Sequence, residues 1–221
     1  ENDAYADRAA EHIYNLIKTF ADNPCLISLS GGSTPLPVYQ KLAKKLANGC
    51  DMANLYWMQT DERLVAASGE RSNQRGIRQS LFASGTLPEE RFIPVMPELT
   101  DENTILSSST VCQDYFTRLQ QLPINLRPPA PIDLLILGIG SDGHTASLFP
   151  DTDWQTRTTE TGFALFKTTT QPEPRFSLTL ATIMQARKII FLVNGSAKSA
   201  IIEQIFFAHD FLSPASFVAR N

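Results

Sequence analysis

The chain has 221 residues, 43% of them hydrophobic and 19% charged, with a formal net charge of −4. That is the makeup of an ordinary globular protein, long enough to bury a sizeable core without staples. The negative balance excludes a bulk attraction to nucleic acid and leaves room only for a local basic pocket.

The first residues, Glu1-Asn-Asp-Ala-Tyr-Ala-Asp-Arg8, are polar and charged, and no secretory signal is expected in them. Ala9, Ile13, Leu16, Ile17 and Phe20 recur at helical spacing and predict an amphipathic helix over 4–21, ended by Asn23-Pro24. A short buried strand follows at Cys25–Leu29, then the turn Ser30-Gly-Gly-Ser-Thr-Pro35. Val38, Leu42 and Leu46 mark a second helix that stops near Asn48-Gly49. Leu55–Gln59 reads as a strand that ends in Thr60-Asp-Glu-Arg63. Residues 64–72 read as loop, 73–82 as helix, and 92–95 as a short strand interrupted by Pro94. A helix is predicted over 106–122, with Val111, Tyr115, Phe116 and Leu119 on its apolar face. The proline-rich stretch 123–131 leads straight into a strand at 132–137, so it serves as a connector inside one domain spanning 1–221. Further strands are predicted at 163–168, 175–180 and 189–193, then Gly195-Ser-Ala-Lys198 and a helix over 200–207. Strands alternating with helices imply an α/β fold, a largely parallel sheet covered on both faces. No stretch reaches the ~20 apolar residues of a membrane helix. Cys25, Cys50 and Cys112 are odd in number and lack metal spacing, which predicts reduced thiols and a cytoplasmic protein.

The densest chemistry lies at Asp133-Leu-Leu-Ile-Leu-Gly-Ile-Gly-Ser-Asp-Gly-His-Thr-Ala-Ser-Leu-Phe-Pro150. An apolar strand runs into Gly138, Gly140 and Gly143, which let the backbone turn sharply and approach a ligand. His144 comes next, a residue type suited to proton transfer near neutral pH, with Asp142 two residues back. The alternative is a histidine bonded to backbone. His12 and His209 lack such a setting and read as surface residues. Gly138-x-Gly140-x-x-Gly143 matches the dinucleotide fingerprint, with Glu160 near the ribose-binding distance. Pro150 arrives too soon for the long helix that fingerprint opens, so NAD is disfavoured.

Ser30-Gly31-Gly32-Ser33-Thr34-Pro35 joins a strand to a helix. Converging amides at a helix N-terminus bind phosphate, and the Ser33 and Thr34 hydroxyls can add hydrogen bonds. The alternative is a tight turn with a helix cap. No Gly-Lys-Ser/Thr ending is present, which argues against ATP. Asp61, Glu62 and Arg63 end another strand and read either as a substrate-orienting set or as a solvated charged turn. Arg175 and Lys198 start a strand and a helix; alone each is a surface charge, together they can complete an anion pocket. Ser72-Asn73 reads as a helix cap unless its loop faces the site.

These blocks together resemble the 6-phosphogluconolactonases of the glucosamine-6-phosphate isomerase/6-phosphogluconolactonase superfamily. The resemblance runs through Leu29 to Pro35, Thr60 to Arg63, Ser72-Asn73, Leu137 to Pro150, Arg175 to Leu180, Gly195 to Lys198 and Pro214-Ala-Ser216. It implies a three-layer α/β/α sandwich, Rossmann-like and akin to sugar-phosphate isomerases. It implies hydrolysis of 6-phospho-D-glucono-1,5-lactone to 6-phosphogluconate in the oxidative pentose phosphate pathway, with no metal and no redox cofactor. By the same resemblance His144 is the general base, and Asp61 and Arg63 line the site. Gly31, Gly32, Ser33, Thr34, Arg175 and Lys198 meet phosphate or nearby oxygens, with Gly140, Asp142 and Gly143 in the binding loop. The implied partner is a small sugar-phosphate lactone, with neither nucleic acid nor membrane, and a monomer or weak homodimer is expected.

The sister activity is deamination of glucosamine-6-phosphate. Deaminases resemble the chain up to the glycine–histidine loop, then carry a glutamate where Phe149 stands here and a tyrosine where Arg63 stands. That argues for the lactonase branch. A non-catalytic sugar-phosphate sensor is a third reading. Two departures from the lactonase pattern are visible: Gln171-Pro-Glu-Pro-Arg175 has one proline where a pair is usual, and the stretch from 209 to 214 is short.

Overall fold

A computed structural model describes residues 2–20, 22–49, 52–96, 108–128, 130–156, 162–208 and 212–221. Helix α1 (Asn2–Lys18) leads into strand β1 (Cys25–Leu29), helix α2 (Pro35–Ala47) and strand β2 (Leu55–Gln59). Strand β3 (Asp61–Arg63) follows after one residue, then helix α3 (Asn73–Ile77), prolonged by a wider turn through Phe82, and strand β4 (Phe92–Ile93). Helix α4 (Ser108–Leu119) precedes strand β5 (Leu134–Gly138), β6 (Phe163–Phe166) and β7 (Arg175–Leu178). Helix α5 (Leu180–Met184), strand β8 (Ile189–Leu192), helix α6 (Ser199–Phe207) and helix α7 (Pro214–Arg220) complete the order.

Five strands form a parallel sheet in the order β4-β2-β1-β5-β8. Its central strands are apolar on both faces because both faces are covered. Cys25, Ile27 and Leu29 of β1, with Leu134 and Ile136 of β5, join Val38, Leu42 and Leu46 of α2 and Ile13 and Ile17 of α1 in one core. Leu26, Leu135 and Leu137, alternate residues of the same strands, join a second core with Tyr115 and Leu119 of α4. Trp57, wholly buried, lies edge-on to Phe82 in the first core.

The central sheet is parallel as expected, and strands β3, β7 and β6 form a separate, small antiparallel sheet beside it. No helix separates β6 from β7, and a hairpin connection allows only antiparallel pairing. Thr60 is the joint between the sheets: its N–H donates to Leu29 O (2.9 Å) and its carbonyl accepts from Leu178 N (2.9 Å).

Other differences have local causes. The strand expected over 92–95 ends at Ile93, because Pro94 has no N–H to give the ladder. The strand expected to reach 180 stops at Leu178, where Thr179 caps α5 by accepting from Thr182 N. Helix α7, which the sequence reading did not predict, opens on a reciprocal Ser213–Ser216 capping box. Glu160, Cys50 and His209 lie outside the described residues. His12 is exposed on α1.

Candidate active site

In the parallel sheet, chain progress from β1 runs one way through β2 to β4 and the other way from β5 to β8. The β1/β5 boundary is therefore a switch point, where α/β folds open a crevice beyond the carboxyl ends of the strands. A cavity of about 290 Å³ lies there. It is lined by Ser30, Gly31, Gly32, Ser33 and Thr34 after β1, by Gly138, Gly140, His144 and Ala146 after β5, and by Val193, Asn194 and Lys198 after β8. The small sheet adds Asp61, Arg63 and Arg175, and α3 adds Asn73. The volume suits one sugar unit better than a dinucleotide.

The glycine turn after β1 is held from below. Tyr39 Oη donates to Ser30 O (2.9 Å), and Ser30 Oγ donates to Ile136 O (2.7 Å). Among the described residues the Gly31, Gly32 and Ser33 amides have no backbone acceptor. Thr34 makes no side-chain cap to α2, so its hydroxyl stays open to a ligand. Gly31 is dictated by packing: a Cβ there would lie 2.2 Å from Asn73 Oδ1.

After β5 the chain turns back on itself. Gly140 N donates to His144 O (2.8 Å), and a Cβ on Gly140 would lie 2.1 Å from His144 Nδ1. Asp142 Oδ1 accepts from His144 Nδ1 at 2.6 Å and from His144 N at 3.1 Å. Burial pushes the Asp142 carboxyl up, but the hydrogen bond and charge of His144 outweigh it and hold the group at about 2. An ionised Asp142 accepts the Nδ1 proton, which assigns Nε2 as the ring nitrogen left for chemistry. Phe149 packs against the imidazole at a centroid distance of 4.4 Å and lies under the Arg175 guanidinium at 5.7 Å.

Two residues expected in the binding set do not line the cavity. Asp142 spends its carboxylate on His144. Gly143 is the left-handed hinge of the loop (φ 83°), and its carbonyl accepts from Ala215 N at 3.0 Å, tying the loop to α7. The other predicted residues, Gly31 to Thr34, Asp61, Arg63, Gly140, His144, Arg175 and Lys198, share the one cavity.

Arg63 and Arg175 stand directly opposite on the β3–β7 pair. Like charges so placed repel, and Arg175 is also only 5% exposed. Burial, then the charge of Arg63, pull the Arg175 pKa down. The Nε atoms of both arginines are buried without a hydrogen-bond partner. Asp61 Oδ2 accepts from Ser147 Oγ at 2.6 Å, so this carboxylate is buried and tethered. The solvated-turn reading of 61–63 does not hold, because β7 covers the triplet. Lys198 occupies the turn after β8, next to left-handed Gly195.

Sequence reasoning did not place Ala146 in the site, did not single out Ser147, which tethers Asp61 from outside the cavity, and read Asn73 chiefly as a cap. Ser72 is the cap, accepting from Arg75 N at 3.2 Å, while Asn73 forms part of the cavity wall. Ala146 holds a left-handed backbone (φ 50°), uncommon for a residue with a Cβ. Among the described residues no three His, Cys, Asp or Glu side chains gather as a metal-ligand set, and no helix is long and apolar enough to cross a membrane.

Comparison with known proteins bears on this arrangement. Residues 1–221 match the family model described as glucosamine-6-phosphate isomerases/6-phosphogluconolactonase. A 6-phosphogluconolactonase of Synechocystis sp. is 34% identical over 185 residues, covering 81% of this chain and 70% of the relative. One from Haemophilus influenzae is 33% identical over 188 residues, covering 83% and 74%. The solved structure of 6-phosphogluconolactonase from Trypanosoma brucei superposes with a TM-score of 0.78 at 28% identity, covering 100% of this chain and 88% of that one.

Proposed function

Because the chain belongs to the glucosamine-6-phosphate isomerase/6-phosphogluconolactonase family, we propose that it hydrolyses 6-phospho-D-glucono-1,5-lactone to 6-phosphogluconate, a step of the oxidative pentose phosphate pathway. The observation that carries this reading is one cavity with a carboxylate-pinned histidine and two facing, under-partnered arginines.

The arginine pair calls for an anion of more than one charge, and a phosphate dianion fits. Arg63, Arg175 and Lys198 hold it together with the open amides of the Gly31–Thr34 turn, where the start of α2 adds its dipole. Anchoring the phosphate fixes the sugar, so the lactone carbonyl meets a water at His144 without further loss of freedom. Nε2 of His144 takes a proton from that water, and the water oxygen bonds to C1. The C1 carbonyl becomes a tetrahedral oxyanion, stabilised by a fixed donor of the cavity wall. The oxyanion collapses, the bond from C1 to the ring oxygen breaks, and His144 returns its proton to the departing oxygen. Asp142 keeps the imidazole in the required tautomer throughout and steadies its charged form. Phe149 covers the imidazole with an apolar ring, so the site offers a base pinned by one acid. That arrangement suits ester hydrolysis more than the ring opening of an amino sugar.

His144→Ala tests the assignment. Lactone consumption above the spontaneous rate is expected to fall about 10²–10⁴-fold, with 6-phosphogluconate still bound. Near-normal turnover by a folded His144→Ala protein removes this histidine from the mechanism.

A further inference from the structure

Glu62 stands between Asp61 and Arg63 on β3, so strand alternation turns its side chain away from the cavity its neighbours line. It is a charged residue with no exposed surface. Five donors converge on its carboxylate. Oε1 accepts from the backbone N–H groups of Arg63 (2.7 Å) and Asn73 (2.8 Å). Oε2 accepts from Gln74 N (2.7 Å), Gln59 Nε2 (2.9 Å) and Ser72 Oγ (3.1 Å). A carboxylate offers about four lone-pair sites, so its capacity is fully used.

Capping a short helix needs far less, and Ser72 already caps α3. The remaining bonds hold residues that reach the site. Asn73, fixed through its N–H, accepts from Arg63 Nη1 at 3.0 Å and donates Nδ2 to Asp61 O at 3.1 Å. The same side chain fills the space that a Cβ on Gly31 would take. One buried carboxylate therefore anchors a contact to the guanidinium, to the Asp61 strand and to the glycine turn. Arg63 Nη1 also donates to Arg71 O, and the Asn73 contact is the one that sets the guanidinium facing Arg175 relative to the glycine turn.

We propose that Glu62 is a positioning residue: through Asn73 it sets Arg63 and the Gly31 turn at the spacing that grips the substrate's phosphate. The role rests on the sugar-phosphate reading of the cavity, and Glu62 itself touches no substrate. Glu62→Gln keeps the shape but turns an NH₂ towards N–H and O–H donors.

The test is a double-mutant cycle on Glu62→Gln and Arg63→Ala. It reads 6-phosphogluconate affinity by calorimetry, KM and kcat for the lactone, and melting temperature. Glu62→Gln is expected to weaken 6-phosphogluconate binding ~10-fold, to raise KM more than it lowers kcat, and to add to Arg63→Ala much less than its effect in the wild-type background, the remainder coming from the Gly31 turn. A Glu62→Gln protein that loses only melting temperature overturns the proposal, as does a loss fully additive with Arg63→Ala. If Glu62→Gln does not fold, Asn73→Ala carries the test: binding ~10-fold weaker supports the role and wild-type affinity overturns it. A wild-type chain that shows this coupling in 6-phosphogluconate binding but no turnover sinks the lactonase reading and leaves the positioning role standing.

Discussion

Asp142 and Phe149 constrain the His144 ring from two sides, one through Nδ1 and one through the ring face. Asp142→Asn keeps a hydrogen-bond acceptor but loses the charge that holds the imidazole's proton, so kcat is expected to fall about 10–100-fold with little change in KM. The Asp142 carboxyl lies at about 2 in the folded protein against an ordinary 3.8. A depressed acid contributes stability above its unfolded value and loses it as pH falls through the folded one. The gap in melting temperature between wild type and Asp142→Asn is therefore open at about pH 5, narrows as pH falls and closes only below about pH 2. A gap that widens in acid contradicts the pairing. This was legible in part: Asp142 and His144 are two residues apart in the sequence, but only the folded loop shows that Asp142 meets Nδ1 rather than the ligand and that Phe149 packs on the ring.

At the scale of elements, turns carry the glycine amides, His144 and Lys198, while strands β3 and β7 carry Asp61, Arg63 and Arg175. Gly31 shows the difference between a flexible glycine and a sterically required one. Gly31→Ala forces Asn73 aside, at a cost of about 1–3 kcal/mol in stability, together with weaker phosphate binding; unchanged stability and affinity would mean that Asn73 has another place to go. The Ser213–Ser216 box starts α7, whose Ala215 N–H holds the Gly143 carbonyl. Ser213→Ala is expected to lower stability by about 1 kcal/mol, read from denaturant unfolding, and to loosen the histidine loop from behind. Strands β1, β2, β5 and β8 were legible because each is a short, mostly apolar run beside turn residues. Strand β3 was not, because Asp-Glu-Arg has no strand signal of its own and is recruited by its register against Arg175 to Ser177. The Asn73 wall was equally invisible, since only the folded chain shows that its amide occupies the missing side chain of Gly31.

At the scale of the molecule, two sheets with different jobs meet at Thr60. The parallel sheet brings the Gly31 turn and the His144 loop to adjacent strand ends, and the small antiparallel sheet adds Arg63 and Arg175 along a third wall. Base and anion cradle thus sit on separate elements joined by a single cavity, and binding energy gained at one end can orient the bond broken at the other. The direct measurement is a coupled assay with freshly generated 6-phosphogluconolactone, run beside the unphosphorylated lactone and corrected for spontaneous opening. The account predicts rapid turnover of the phosphorylated lactone, with kcat/KM at least ~10²-fold higher than for its unphosphorylated counterpart. Equal turnover of the two, or no acceleration of either, would contradict it.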